Sequence, residues 1–98
     1  MEVERFLEHG ARACRVTIAG LRSRRRSAPI VEARETLAWL GVELYGFKVK
    51  QMAEGFDKYV ESASRLVSRA AERRVGDRRF ANRVRRIDVE IAGAMETG

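Results

Sequence analysis

Residues 48–74, KVKQMAEGFDKYVESASRLVSRAAERR, contain two helical patterns separated by a break at residues 57–58. The fold can be deduced from this segment. Apolar side chains at helical spacing predict a short helix over residues 48–55 and a longer helix over residues 59–74. A small residue, Ala53, lies in the middle of the first helix, where it lets a second helix cross closely. This helix–break–helix spacing is that of a helix-turn-helix motif.

The residues around Ala53 agree with the motif at most positions. Met52 and Phe56 are the apolar residues that the first helix needs one place before and three places after the small residue. Ala63 and Leu66, ten and thirteen places after it, are apolar where the second helix must be held.

The turn between the two helices departs from the motif. Asp57 replaces the usual glycine, and aspartate tolerates a positive φ better than most residues do. Lys58 replaces the usual apolar residue and fits that position poorly. Because many helical hairpins meet this pattern by chance, the spacing alone leaves the motif undecided.

Outside this stretch the chain is also predicted to be helical. Strict alternation of apolar and polar residues is nearly absent, and proline occurs once. Further helices are predicted over residues 3–14 and 18–21, from Ser27 onwards, and after Asp77. A chain of 98 residues is expected to form one domain, residues 1–98. The predicted fold class is all-α, a small bundle of about five to six helices.

Apolar residues recur every three or four places in three of these helices, which is the spacing of one buried face. The first helix is expected to bury Val3, Phe6, Leu7 and Ala11. The helix after Ser27 has the clearest stripe, Ile30, Ala33, Leu37, Leu40 and Leu44, widened by Trp39 and Tyr45. The last helix is expected to bury Phe80, Val84, Ile87 and Ile91.

Helix ends are predicted from their capping residues. Thr17 is expected to cap the short helix that follows it, and Asp77 the last one. Gly46 and Gly76 are expected to end the helices before them, Gly46 in the left-handed conformation. Gly10 lies inside the first helix, where glycine lowers helix stability.

The chain is basic, and its positive charge comes from arginine: 17 Arg and 3 Lys face 14 Asp and Glu, for a net charge of +6. Residues 1–29 carry net +4, residues 30–61 net −2, residues 62–86 net +7 and residues 87–98 net −3. Two separated basic blocks favour a polyanionic partner, and the planar fork of arginine suits phosphates and guanine edges. The alternative is an arginine-rich composition that merely solvates ordinary surfaces.

Length and composition exclude several classes. No apolar run approaches the roughly 20 residues of a membrane span, and the acidic start is unlike a secretory signal. The single cysteine, Cys14, fits a reducing cytoplasm and is expected to be a small core residue. His9 and Cys14 are too few for a metal site, and no phosphate-binding P-loop is present. We therefore expect no enzyme, no cofactor and no metal.

If Ala63, Leu66 and Ala70 face inward, the opposite side of the second motif helix faces outward. Ser62 and Arg65 then form one line with Arg69, because they stand at i, i+3 and i+7. Serine and arginine are side chains that can contact base edges in a major groove. The outward residues are Glu61, Ser62, Arg65, Ser68 and Arg69, with Arg73 and Arg74 beyond them either solvated or on phosphates.

Residues 21–34, LRSRRRSAPIVEAR, resemble the entry to the C-terminal DNA-binding domain of the bacterial replication initiator DnaA, where a Leu-x-Ser-x-x-Arg basic loop leads into a helix with an Ala/Pro-Arg pair. The resemblance continues through LAWL, ELYGF and QMA to Phe56 and covers roughly residues 3–92. A similar domain is appended to some proteins of the REP-associated tyrosine transposase group. Their recognition helix tends to contain Val-Ser-Arg, much like Ala63-Ser64-Arg65 here.

The resemblance implies a domain whose helix-turn-helix enters the major groove of double-stranded DNA while the arginine loop reaches the adjacent minor groove and backbone. It assigns the loop role to Arg24, Arg25 and Arg26 and the recognition role to residues 58–69. It also implies a location on the nucleoid of a bacterial cytoplasm. The candidate DNA-binding residues are Arg24, Arg25, Arg26, Arg34, Lys48, Lys50, Lys58, Tyr59, Ser62, Arg65, Ser68 and Arg69. Tyr59 could stack on a sugar or base, or make an apolar capping contact.

One segment departs from the initiator. The family carries Arg-Asp-His-Thr-Thr at the start of its recognition helix, and the matching residues here are Tyr59-Val60-Glu61-Ser62-Ala63. Only Ser62 keeps a hydroxyl at a threonine position. We therefore expect a fold relative with a different DNA target, in a transposase-like or DnaA-related protein. The second hypothesis is a helical protein-interaction module whose basic surface binds an acidic partner.

Overall fold

A computed structural model describes residues 2–97, and helices account for most of them. In chain order these are α1 (Val3–Cys14), α2 (Ile18–Arg22), α3 (Ala28–Glu43), α4 (Val49–Phe56), α5 (Val60–Gly76) and α6 (Arg78–Thr97). No strand occurs within residues 2–97, so the predicted all-α class and the predicted number of helices are confirmed. None of these helices is long and apolar enough to cross a membrane.

Helix α3 lies at the centre of the bundle, in contact with all five other helices. Every residue from 33 to 41 is buried, including the polar side chains of Arg34, Glu35 and Thr36. The sequence predicted a single buried stripe on this helix. Burial extends round the whole helix because neighbouring helices cover it from every side. The buried members of the predicted stripe are Ile30, Ala33, Leu37, Trp39 and Leu40.

The predicted inward position of Leu44 is wrong. This side chain is 55% exposed, although Leu44 keeps helical backbone angles and its N–H donates to the Leu40 carbonyl at 3.0 Å. The end of α3 is less covered than its middle, since residues 43 and 44 are both exposed. The chain then turns through Gly46, whose φ of 75° confirms the predicted left-handed residue. Phe47 follows at once and returns to the core, where its ring packs against Phe6.

Two predicted caps are present. The Thr17 hydroxyl accepts a hydrogen bond from the Gly20 N–H at 2.9 Å, at the start of α2. The Asp77 carboxylate accepts one from the Phe80 N–H at 3.2 Å, at the start of α6. The predicted stop at Gly76 is one residue early: α5 includes this glycine, and the extended backbone of Asp77, with φ −132° and ψ 101°, ends the helix.

Gly10 permits a close contact that the sequence does not reveal. A Cβ atom at this position would lie 2.5 Å from Cδ2 of the fully buried Leu37, so any other residue here would require the Leu37 side chain to shift. The close contact between α1 and α3 therefore comes with a loss of helix stability of about 1 kcal/mol relative to alanine.

Helices α4 and α5 form the predicted helix-turn-helix pair. Met52, Ala53 and Phe56 of α4 are almost completely buried, as is Ala63 of α5. Asp57 has φ 56° and ψ 49°, the left-handed conformation in which it stands for the usual glycine. The small side chains at the crossing allow the two helices to approach, which carries the start of α5 to the surface beside the loop between α2 and α3.

Candidate nucleic-acid interface

An open groove of about 760 Å³ lies between the first half of α5 and residues 22–27, called here the arginine loop. The start of α3 and the turn between α4 and α5 complete its walls. The lining residues are Arg22, Ser23, Arg24, Arg26, Val31, Arg34, Asp57, Lys58, Tyr59, Ser62, Arg65, Leu66 and Arg69. The groove thus brings together eight of the twelve candidate residues predicted from the sequence.

The groove is strongly positive. Arg24 and Arg26 on one side and Arg65 and Arg69 on the other are exposed, and within residues 2–97 none of them forms an ion pair. Asp57 is the single carboxylate in the lining. Closely spaced cations without counter-charges create a potential that attracts anions.

The predicted line on α5 faces this groove. Ser62, Arg65 and Arg69 all line it, while Ala63 and Ala70 on the opposite side of the helix are fully buried. Small buried side chains hold α5 close to the bundle, and the polar line is left open to solvent. The orientation deduced from the apolar spacing is therefore confirmed for Ala63 and Ala70, whereas Leu66, also predicted to face inward, is half-buried and lines the groove.

Tyr59 stands at the N-terminal end of α5, where it is the N-cap residue and makes no side-chain capping hydrogen bond. Its side chain lines the groove and is 81% exposed. Of the two predicted roles, the apolar capping contact is not made. The ring is left available for a ligand in the groove.

Arg34 is corrected from a DNA contact to a buried support. Its side chain is only 7% exposed, and its guanidinium donates four hydrogen bonds, of 2.6 to 3.2 Å, to backbone carbonyls beneath the arginine loop. Burial, together with the nearby charge of Arg26, lowers the pKa of Arg34 below its ordinary value. With its donors committed to the protein, this guanidinium cannot form a bidentate pair with a phosphate or a base.

Lys58 also bonds to the arginine loop, but unlike Arg34 it is only half-buried and lines the groove, so its contact with DNA stays a prediction. Its ammonium donates hydrogen bonds to the carbonyls of Arg22 at 3.0 Å and Ser23 at 2.7 Å. The aliphatic stem occupies the half-buried turn position where the motif expects an apolar residue, and the charged head reaches the loop. Burial first, and then the charge of Arg34, lower the pKa of this lysine.

Two residues that shape the arginine loop were not predicted as site residues. Arg22 donates to the Gly55 carbonyl at 2.8 Å and pairs with Glu4 at 2.7 Å, which ties the loop to α4 and α1. The Ser23 hydroxyl donates to the Gly20 carbonyl at 2.7 Å and accepts from the Arg25 N–H at 3.1 Å. A serine directly after a helix is a sequence signal for such a turn, but nothing in the sequence marks the partners of Arg22.

Four candidate residues do not line the groove. Arg25 and Ser68 are exposed on the loop and on α5, and Lys48 and Lys50 are exposed at the start of α4. The Lys48 N–H donates a hydrogen bond to the Gln51 side-chain oxygen at 2.8 Å, which caps α4. These four residues could reach a ligand only outside the groove, so a direct contact from them stays a prediction.

Three further arginines of the basic block have partners inside the protein. Arg73 lies 2.7 Å from the buried carboxylate of Glu35 and stacks over Phe80, and Arg83 pairs with Glu32 at 3.1 Å. The guanidinium of Arg74 lies 4.0 Å from the ring centre of Trp39. The expectation that Arg73 is solvated or on a phosphate is therefore wrong, whereas Arg74 is exposed as expected, with one face of its guanidinium over Trp39.

Cys14 is buried, as predicted for a small core residue. Burial raises the pKa of its thiol to about 11, although Arg83 and Arg86 act in the opposite direction. Within the described residues, no three His, Cys, Asp or Glu side chains come together in a way that could hold a metal ion.

No protein-family model matches this chain, and no curated protein matches it in sequence. The resemblance of roughly residues 3–92 to the initiator domain stays a prediction. The function therefore has to be inferred from the groove itself.

Proposed function

We propose that this domain binds double-stranded DNA in a sequence-specific way. The first turns of α5 enter the major groove, and the arginine loop contacts the adjacent minor groove and the backbone. On this proposal the domain belongs to a transposase-like or DnaA-related protein of a bacterial nucleoid.

The observation that carries the proposal is that two basic elements, distant in sequence, share one groove. Arg24 and Arg26 come from the loop, and Arg65 and Arg69 come from α5, yet all four line the same space without a carboxylate partner. Holding like charges together opposes folding, and the repulsion is relieved when phosphates take the place of the missing counter-ions. A row of phosphates is the partner that best matches such a set.

The shape of the recognition surface favours a duplex. An α-helix fits the major groove of B-DNA, and the N-terminal residues of a recognition helix contact base edges. Arg65 stands in the second turn of α5 and is the candidate for a bidentate contact with guanine. Arg69, one turn later, is closer to where such a helix meets phosphates, and the Ser62 hydroxyl can bond to a base or a phosphate.

The target is expected to differ from that of the initiator. Tyr59, Val60 and Glu61 occupy the positions of its Arg, Asp and His, and all three side chains are exposed at the start of α5. Side chains with other hydrogen-bonding groups at base-contacting positions select other bases.

Selection of bound duplexes from a random pool, followed by titration at several salt concentrations, tests the proposal. We expect one sequence to be enriched and the affinity to fall steeply between about 50 and 200 mM salt, with a slope of about 0.9 per phosphate contacted. If the domain is instead a module that binds an acidic protein, it is expected not to bind DNA at about 100 mM salt, where surface charges are already screened.

Arg65→Ala locates the recognition face. On the selected site it is expected to cost about 1–3 kcal/mol and to relax discrimination at one base pair. Arg85→Ala is the matched control, because Arg85 is equally exposed but lies on α6 outside the groove lining. If Arg65→Ala keeps the base preferences of the parent chain, α5 does not enter the major groove with this face.

A further inference from the structure

We propose that Arg34 and Lys58 are positioning residues, which bind the backbone carbonyls of the arginine loop from below and hold that loop in register with α5. This inference rests on the proposed DNA binding. It adds a function for two cations that make no contact with the DNA themselves.

The two side chains reach the same short piece of backbone from different elements. Arg34 comes from the second turn of α3, and Lys58 comes from the turn that precedes α5. Together they donate six hydrogen bonds, and the Ser23 carbonyl accepts from both, at 2.6 Å from Arg34 and 2.7 Å from Lys58. The other acceptors are the carbonyls of Gly20, Leu21, Arg22 and Arg25.

The loop needs such an anchor because its own composition opposes order. Arg24, Arg25 and Arg26 repel one another, and no helix or sheet organises residues 23–27. Carbonyl oxygens turned toward a cation form charge-assisted hydrogen bonds, which are stronger than neutral ones. With the carbonyls directed inward, the three arginine side chains stay exposed.

An ordered loop binds more tightly than a mobile one, because the conformational entropy has been lost before the ligand arrives. Lys58 also couples the loop to the recognition helix, since it lies one residue before Tyr59, the N-cap of α5. A fixed distance between loop and helix matches the fixed distance between adjacent grooves of a duplex.

The charge of Lys58 is not needed for packing. The motif calls for an apolar side chain at this position, and the aliphatic stem already supplies one. Burial of the ammonium, and then its position beside Arg34 and Arg24, are unfavourable and lower its pKa. The hydrogen bonds to the loop are what the ammonium adds, and Lys58→Met keeps an apolar stem while it removes these hydrogen bonds together with the charge.

The first experiment needs no DNA. Trypsin cleaves after the loop arginines when the loop opens, and Lys58→Met is expected to speed this cleavage about fivefold, as loss of two net-favourable hydrogen bonds allows. The melting temperature is expected to fall by about 4–8 °C, so cleavage is measured well below it. Lys50→Met is the control, because it removes an exposed lysine of α4 that has no contact with the loop. Equal cleavage rates in the two variants overturn the proposal.

The second experiment asks whether the anchor acts through the loop. Lys58→Met is expected to weaken binding to the selected duplex about fivefold without changing the salt slope. In a chain that already carries Arg24→Ala and Arg26→Ala, it should have no further effect. A slope that falls by about 0.9 means that Lys58 contacts a phosphate directly, which overturns the positioning role.

The two proposals fail in different ways. If the parent chain binds no DNA but Lys58→Met is cleaved faster than the parent, the proposed function is wrong although the loop is held as described. Normal DNA binding with unchanged cleavage of Lys58→Met shows that the positioning role alone is wrong.

Discussion

Arg69 and Arg73 stand about one helical turn apart on α5, yet they meet different surroundings. Arg69 is exposed, lines the groove and has no ion-pair partner among residues 2–97. Arg73 lies 2.7 Å from the carboxylate of Glu35, a side chain that is only 6% exposed, and 4.2 Å from the ring centre of Phe80. One arginine is available to a ligand, and the other is part of the packing between α3, α5 and α6.

Arginines that are close together in the sequence therefore need not form one basic surface. A buried carboxylate such as Glu35 requires a partner, because an isolated buried charge is very unfavourable. The arginine that meets it is lost to any external ligand. Where α5 instead faces the arginine loop, Asp57 is the one carboxylate of the groove lining, and among residues 2–97 Arg65 and Arg69 form no ion pair.

Leu40→Ala sets the scale of a purely structural loss. Leu40 is fully buried in α3, so its truncation is expected to destabilise the protein by about 2–5 kcal/mol. For a domain with about 5–10 kcal/mol of stability, thermal unfolding should shift by many degrees. A melting temperature within a degree or two of the parent would mean that the central position of α3 is misassigned.

Arg73→Ala and Arg69→Ala test the comparison directly. Arg73→Ala leaves the Glu35 carboxylate unpaired and is expected to cost about 2–3 kcal/mol of folding stability, below the full value for a buried pair because Arg73 is partly exposed. Arg69→Ala should leave stability within about 0.5 kcal/mol.

On DNA the order is expected to reverse. Arg69→Ala should lower the salt slope by about 0.9, and Arg73→Ala should leave that slope unchanged wherever the variant is folded. Chemical denaturation and binding titrations on the same two variants provide both measurements. If Arg69→Ala lowers stability, or if Arg73→Ala lowers the salt slope, the separation into free and structural arginines is contradicted.

Cys14 provides a third comparison, because this buried thiol lies near two arginines, Arg83 and Arg86, whose charges do not offset its burial. Burial raises its thiol pKa from 9.0 to about 11 despite Arg83 and Arg86. Because the pKa of the thiol is raised in the folded state, its contribution to stability is fully present below pH 9.0, where the unfolded thiol begins to ionise. This contribution is lost as the pH rises toward 11. At about pH 10 the loss is roughly 1.4 kcal/mol.

Cys14→Ala is expected to remove this part of the alkaline loss, measured as the free energy of unfolding at pH 8 and at about pH 10. Tyr45→Phe is a useful second variant. Burial and Asp88 raise the pKa of Tyr45 to about 12, so its contribution is lost at higher pH, between 10.0 and about 12. An identical pH profile for Cys14→Ala and the parent would show that the thiol ionises freely.

Arg74→Ala gives the smallest expected effect. Its guanidinium lies 4.0 Å from the ring centre of Trp39, and an exposed cation–π contact of this kind contributes about 0.5–1 kcal/mol. DNA affinity should stay unchanged at every salt concentration. A fall in the salt slope would place Arg74 with the free arginines.

The helices and their inner faces could be predicted because they depend on residues only a few places apart. The i+3 and i+4 spacing of Phe80, Val84, Ile87 and Ile91 was sufficient to identify a buried face, and all four are buried. Leu44 was misplaced because the spacing identifies a face of a helix but not how far the neighbouring helices cover it, and the end of α3 is exposed. The line of Ser62, Arg65 and Arg69 was found for the same local reason.

The sequence by itself therefore determined the order of the helices, most of their ends, and which side of α5 is polar. Only the tertiary structure decided which cations are free. Arg34 binds carbonyls 9 to 14 residues away, and Lys58 binds carbonyls 35 and 36 residues away. Every residue has a backbone carbonyl, so no side chain in the sequence marks the acceptor, and only the folded chain brings donor and acceptor together.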